Sequence, residues 1–221
     1  MISIPVLTID GPSGAGKGTV SRAVAKQLSW NYLDSGSIYR SLAIAVLQAG
    51  VALEDVSQIV DIAQQMQLEF DCGSELVVRL SGSDITSQLG TETTGHAASV
   101  VAAYPEVRAV LLQKQKDFQQ LPGLVADGRD MGSVVFPDAP FKVYLTASAE
   151  ERANRRYKQL IKKGIDANLS QITQEIEARD RRDSERATAP LTVPAGAVFI
   201  DSSSLNIQQV IDAVMDLVRK N

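Results

Sequence analysis

The chain is short of the residues that staple or metallate small proteins. Among its 221 residues there is one cysteine, Cys72, which excludes an internal disulfide and a cysteine-built zinc cluster. A lone thiol fits a reducing, cytoplasmic setting. One histidine, His96, leaves no histidine pair for metal or acid–base work. Aromatic residues make up 5% and net charge is −4, a combination that disfavours binding of a nucleic-acid polymer. No apolar run approaches the roughly 20 residues that span a bilayer. The N-terminus lacks a basic leader segment, and Ile4–Ile9 reads as a strand rather than a signal peptide.

What is present alternates. Ile4–Asp10 is an apolar run ending at glycine, as buried parallel strands do. Lys17–Leu28 has helical spacing, with Val20, Ala23, Val24 and Leu28 on one face. Trp30–Asp34 predicts a second strand, then a helix through Ala49, capped by Ser35 or Ser37 and closed by Gly50. Val125–Asp127, Lys142–Thr146 and Val198–Asp201 predict further strands. This rhythm implies a parallel sheet with helices on both faces. The middle departs from it. Leu68–Asp71 and Leu76–Leu80 predict a hairpin around Cys72-Gly73-Ser74, and Thr91–Ala103 and Glu106–Gln119 predict helices, the second started by Pro105. Residues 63–104 therefore read as a small α+β subdomain inserted in a core made of 1–62 and 105–221.

Between the first strand and first helix lies "GPSGAGKGT", Gly11, Pro12, Ser13, Gly14, Ala15, Gly16, Lys17, Gly18 and Thr19. Glycines let successive backbone amides turn toward an anion at a helix start, and Lys17 adds a charge for the β- and γ-phosphates. The usual loop places Ser or Thr directly after the lysine, where it holds Mg²⁺. Here Gly18 stands there and the hydroxyl comes at Thr19. Mg²⁺ accompanying ATP is then held largely through water and phosphates, with Asp34 and Asp127 as acids behind that water.

Arginines gather elsewhere. Arg40 lies about one turn into the helix that follows the strand-end Asp34; taken alone it reads as a surface helix residue. "ADGRDMG" places Asp127, Arg129 and Asp130 at a strand end, where ligands collect, and a functional site is favoured there over a turn stabilised by local Asp–backbone bonds. Arg179, Arg182, Asp183 and Arg186 fall on one helical stripe at about 100° per residue, implying a neutralising anion or merely a solvated face. Arg181 and Glu185 sit on another face as an ordinary surface pair. Arg152, Arg155 and Arg156 share a face that belongs either to a lid, about 150–168, or to a basic helix.

"IDGPSGAGKGT", "LDSGSIYR", "AASVVAAYPEVR", "ADGRDMGSVVFPDA", "ERANRR" and "ARDRRDSERA" together resemble the bacterial cytidylate kinases, from Val6 to near the C-terminus. The resemblance implies a P-loop kinase of three-layer α/β/α form with a central parallel sheet, an inserted acceptor-binding subdomain and a helical lid. It implies transfer of the ATP γ-phosphate to CMP or dCMP by a cytoplasmic monomer. Lys17, Arg40, Arg129, Arg155 and Arg156 are then catalytic. Ser35, Arg40, Arg129 and Arg179 surround the acceptor phosphate and sugar, Asp183 the ribose hydroxyls, and Ser99, Arg108, Asp130 and Arg186 the cytosine. Two departures fall in the insert: Gly90 replaces an arginine, and His96 an asparagine whose hydrogen bond it either takes over or leaves. A phosphate acceptor needs no general base, because its second pKa is near ~6. The alternatives are a kinase of a hydroxylated metabolite, resembling shikimate kinase, with Asp34 or Asp127 as base, and a nucleotide-binding regulatory module.

Overall fold

A computed structural model describes residues 4–72, 76–162, 164–186 and 188–220. The predicted strands and helices form close to their expected limits. Strand β1 (Val6–Asp10) leads through the glycine-rich loop into α1 (Lys17–Leu28), then β2 (Asn31–Asp34) and α2 (Ser35–Gln48). Helix α3 (Val56–Gln65) follows, then β3 (Leu68–Cys72), β4 (Leu76–Leu80) and the short β5 (Ser83–Asp84). Helices α4 (Glu92–Val101) and α5 (Pro105–Lys116) return the chain to β6 (Leu124–Gly128). The rest is β7 (Phe141–Thr146), α6 (Ala149–Lys162), α7 (Leu169–Glu185), β8 (Val198–Asp201) and α8 (Ile207–Arg219).

The central sheet has the order β2-β6-β1-β7-β8, and every pairing is parallel. β1 and β6 are buried along their whole length, which explains their unbroken apolar runs. Alternation still assigns side chains to faces. Val6, Leu33, Leu124 and Ala126 join one core, while Leu7, Ile9, Tyr32 and Val125 join the other beneath α1. Register sets the acids at the sheet's C-terminal edge: Asp34 pairs with Asp127, and Ile9, one residue before Asp10, also pairs with Asp127. That edge is where open α/β sheets bind ligands.

The middle segment forms its own antiparallel sheet, β3-β4-β5. The predicted hairpin turn at Gly73 and Ser74 lies outside the described residues. Ile59, Val78, Leu80, Leu89 and Val101 pack into the same cluster as Leu33 and Leu42, so this segment shares its core with the central sheet.

Three local readings are corrected. The cap of α2 is Asp34, whose carboxylate accepts from the Ser37 amide at 3.1 Å and its hydroxyl at 2.7 Å; Ser35 and Ser37 are already helical. Helix α3 is unanticipated, although Asp55 caps it by accepting from the Gln58 amide. Arg186 ends the predicted arginine stripe outside its helix, with extended backbone and its Nε donating to the Ala189 carbonyl. Among the described residues, no helix is long and apolar enough to cross a membrane.

Candidate active site

The loop after β1 borders a cleft of about 1000 Å³ lined by Ser13–Thr19, Asp34, Arg40, Asp127, Arg129 and Arg155 among others. Gly11 and Pro12 lie beneath it. Gly11 has φ +148°, and a Cβ there would overlap the Leu145 carbonyl, so the chain turns into the loop only with glycine at this point. Lys17 is buried and donates from Nζ to the Pro12 carbonyl at 2.9 Å. Burial, then Arg129, push its ammonium well below its ordinary pKa, while Asp127, Asp34 and Asp10 oppose this. Thr19 is exposed to the cleft.

Buried acids underlie the loop. Asp10 accepts from the Met131 and Gly132 amides at 2.8 and 2.7 Å, and burial raises its pKa to about 6. It clamps the turn of π-helix at Met131–Val135 to the end of β1. Asp127 accepts from the Tyr32 hydroxyl at 2.7 Å; burial and the facing Asp34 hold its carboxyl well above the usual range.

A second cleft, about 420 Å³, lies against α4 and the end of α7. Ser35, Arg40, Ser99, Arg108, Arg129, Asp130, Arg179, Asp183 and Arg186 all line it, so every residue given to the acceptor converges there. Asp130 is buried, bonds Arg108 and stands 3.8 Å from Arg186. The Arg108 guanidinium also lies 5.7 Å over the Tyr39 ring. Arg129 Nε donates to Asp183 at 2.8 Å. Burial resists the Asp183 charge, but Arg129, Arg179 and Arg186 together outweigh it and hold that carboxyl below its usual range. The Ser35 hydroxyl donates to Gln115 at 2.7 Å, and the Ser99 hydroxyl to its own helix at the Gly95 carbonyl.

Arg40, Arg129 and Arg179 line both clefts. Arg40 donates to the Leu89 carbonyl, beside Gly90, which ties α2 to the inserted segment. Arg179 Nε is buried without a hydrogen-bond partner. Burial, Arg129 and Arg40 lower the Arg179 pKa to about 10. Guanidiniums crowded in this way, with a buried donor unspent, are a receptor for multiply charged anions.

The three arginines of α6 divide. Arg152 is buried; it holds Asp180 through two bonds of 3.0 and 2.5 Å and donates to the Ser13 and Ala147 carbonyls. Arg155 donates to the Ala15 carbonyl and to Ser202 on the first cleft. Arg156 faces a third cleft with His96, Glu175 and Arg182, between α4 and the α6–α7 pair. No ion pair within 4 Å joins the exposed Arg181 and Glu185.

Asp10, Tyr32, Gln115, Asp180 and Ser202 were not anticipated. Asp10 carried the same signal as Asp34 and Asp127, an acid closing an apolar strand before a turn. The others gave none, because their partners lie far off in sequence.

Residues 7–220 match the protein family described as cytidylate kinase. A cytidylate kinase of Methylococcus capsulatus is 56% identical, covering 99% of both chains, and one of Klebsiella pneumoniae is 50% identical, covering 99% of this chain and 96% of that one. An uncharacterized protein from Eubacterium ventriosum shares the fold, with a TM-score of 0.52 at 10% identity over 98% of this chain and 99% of its own. With its phosphate loop, its parallel sheet and its convergent arginines, the chain belongs to the cytidylate kinase family.

Proposed function

We propose that the protein transfers the γ-phosphate of ATP directly to CMP and dCMP, giving ADP with CDP or dCDP. The observation that carries this reading is the Arg40–Arg129–Arg179 cluster, placed where the two clefts meet. Triphosphate and monophosphate present their charge there, and the attacking and leaving oxygens lie on either side of the guanidiniums. Such a transfer is catalysed by positioning and charge stabilisation. Lys17 and the amides of residues 13–19 hold the donor phosphates. Arg40, Arg129 and Arg179 hold the acceptor phosphate and spread the charge that develops on transfer. Arg155 already reaches the loop from α6, and Arg156 approaches as the lid folds over and water is excluded.

Specificity is read by side chains. Asp130 and Ser99 accept from the exocyclic amine of cytosine, and Arg108 and Arg186 donate to its ring acceptors. Uracil presents a carbonyl and a protonated N3 to the same groups, and buried polar groups left unpaired are costly. Asp183 faces the ribose. Residues 63–104 serve as the acceptor-binding subdomain, and the enzyme works as a cytoplasmic monomer, readings that rest on the family resemblance.

Mg²⁺ suits this donor site. Asp34 and Asp127 border the cleft together with the Thr19 hydroxyl, and the burial that penalises the Asp127 charge is relieved by a nearby cation. Bound there, Mg²⁺ neutralises charge on the β- and γ-phosphates. Asp34 and Asp127 would orient its water shell.

Initial rates of ADP formation from Mg-ATP, with CMP, dCMP, UMP, AMP and shikimate offered separately, test the reading. Fast turnover restricted to CMP and dCMP is expected. Turnover with shikimate alone overturns it.

A further inference from the structure

The phosphate loop has glycine where a hydroxyl normally follows the lysine, and the surroundings of that glycine show what replaces it. A Cβ on Gly18 would stand 3.3 Å from Arg22 Nη1, 3.6 Å from the Tyr32 hydroxyl and 3.7 Å from Asp127 Oδ2. A side chain there would be in contact with the Arg22 guanidinium, with a phenol reaching up from β2 and with the Asp127 carboxylate. We infer that Tyr32, from the second strand, compensates for the missing loop hydroxyl indirectly, by fixing Asp127 so that its free oxygen faces the cation that accompanies the nucleotide. Tyr32 is a positioning residue, and the inference rests on the function proposed above.

The fold explains why this position can do so. Tyr32 is two residues before Asp34, and Val125 two before Asp127, and these pairs are in register across β2 and β6. Tyr32 and Val125 enter the same core beneath α1, so Tyr32 and Asp127 project to one face of the sheet. There they meet directly under the point where the loop becomes helix. The Tyr32 ring is 4% exposed and clamped by that core, which leaves its hydroxyl little freedom. The bond to Asp127 Oδ2 is 2.7 Å. Burial, with the charges of Asp127 and Asp34, pushes the phenol well above its ordinary pKa, so it remains a donor throughout the neutral range. One carboxylate oxygen is thereby occupied, and the side chain cannot rotate away without stranding a buried hydroxyl. Tyr32 lies behind Asp127 and does not line the first cleft, whereas Gly18, Arg22 and Asp127 do.

The test compares the unmodified chain with Tyr32→Phe, Gly18→Ser and the double variant. Calorimetry measures binding of a non-hydrolysable ATP analogue with Mg²⁺ and with EDTA, and circular dichroism checks folding. Groups that orient metal ligands typically influence metal affinity by about tenfold or more. Tyr32→Phe is expected to lose about tenfold of the Mg²⁺-dependent gain in affinity while the EDTA value stays constant. Adding Gly18→Ser to Tyr32→Phe is expected to restore most of it, because the serine hydroxyl then occupies the vacated volume next to Asp127 Oδ2. An equal loss with and without metal, an unchanged Mg²⁺ gain in Tyr32→Phe, or no rescue by serine overturns the assignment. If the unmodified chain itself gains nothing from Mg²⁺, the parent reading fails as well, which separates the two failures.

Discussion

The two halves of the proposed site are built by different means. The proposed donor half is one contiguous stretch, Ser13 to Thr19, of glycine-rich backbone with a single lysine. The acceptor half is made of side chains from separate segments: Arg40, Arg108, Arg129, Arg179 and Arg186. Backbone amides are aimed by the turn itself and carry no net charge to bury. Guanidiniums are aimed by their partners: here Asp130 bonds Arg108 and Asp183 bonds Arg129, while backbone carbonyls of Leu89 and Ala189 hold Arg40 and Arg186. In the function proposed above, the loop grips a triphosphate without reading what it is attached to, and the paired arginines and acids also read a base.

That contrast can be broken by experiment. Lys17→Met should lower kcat/KM by about 10²–10³-fold in steady-state assays, with CMP affinity unchanged by calorimetry. Equal loss of CMP binding would show the halves to be one unit. Asp130→Asn should cut the CMP-over-UMP ratio of kcat/KM by about a hundredfold, since it turns one acceptor oxygen into a donor and removes the charge that holds Arg108. Retained selectivity would move base reading elsewhere. Asp10→Asn tests the clamp below both halves. The native carboxyl holds its proton up to about 6, against 3.8 unfolded. The native state therefore binds more protons between those values, and stability falls as pH rises from about 4 to about 6, by up to about 3 kcal/mol. Buried Asp127 contributes a fall of the same sign in both proteins, so denaturant unfolding across that range should show a shallower slope in the variant than in the parent. Gly50→Ala should be the mildest. Gly50 has φ +66° and no atom within 4 Å of an added Cβ, so about 1 kcal/mol of strain is expected, with kinetics in both halves unchanged.

The same contrast decides how much of the molecule could be read in advance. A site built from consecutive backbone is written in consecutive letters, and the loop and α1 fell where the sequence put them. The parallel strands were legible because burial on both faces leaves unbroken apolar runs. The acceptor residues were individually ambiguous, and it was the combined motifs that resolved them. Arg152 illustrates the difficulty. Its spacing grouped it with Arg155 and Arg156, yet it is buried against Asp180, 28 positions away. Helix α3 was legible and was passed over: Val56, Ile59, Val60 and Ala63 recur at helical spacing behind the Asp55 cap, and that stripe packs on α2 and α5. Tyr32 read as one aromatic residue in a strand; its value depends on a partner 95 positions on.

The bonds from α6 to the loop carry a further consequence. In a trans peptide the carbonyl and the following N–H lie in one plane and point in opposite directions. Arg152 fixes the carbonyl of Ser13, and Arg155 that of Ala15. Each bond therefore also dictates the heading of the next amide, that of Gly14 and that of Gly16. These two glycines, with φ +79° and +95°, have the backbone freedom most able to let a plane flip. Two arginines, one turn apart on a helix outside the loop, thus act as rudders on alternate peptide planes. The loop's curvature is a property of α6 as much as of its own glycines. Any movement that lifts the root of α6 lets those planes swing, and the grip on the triphosphate loosens from the outside.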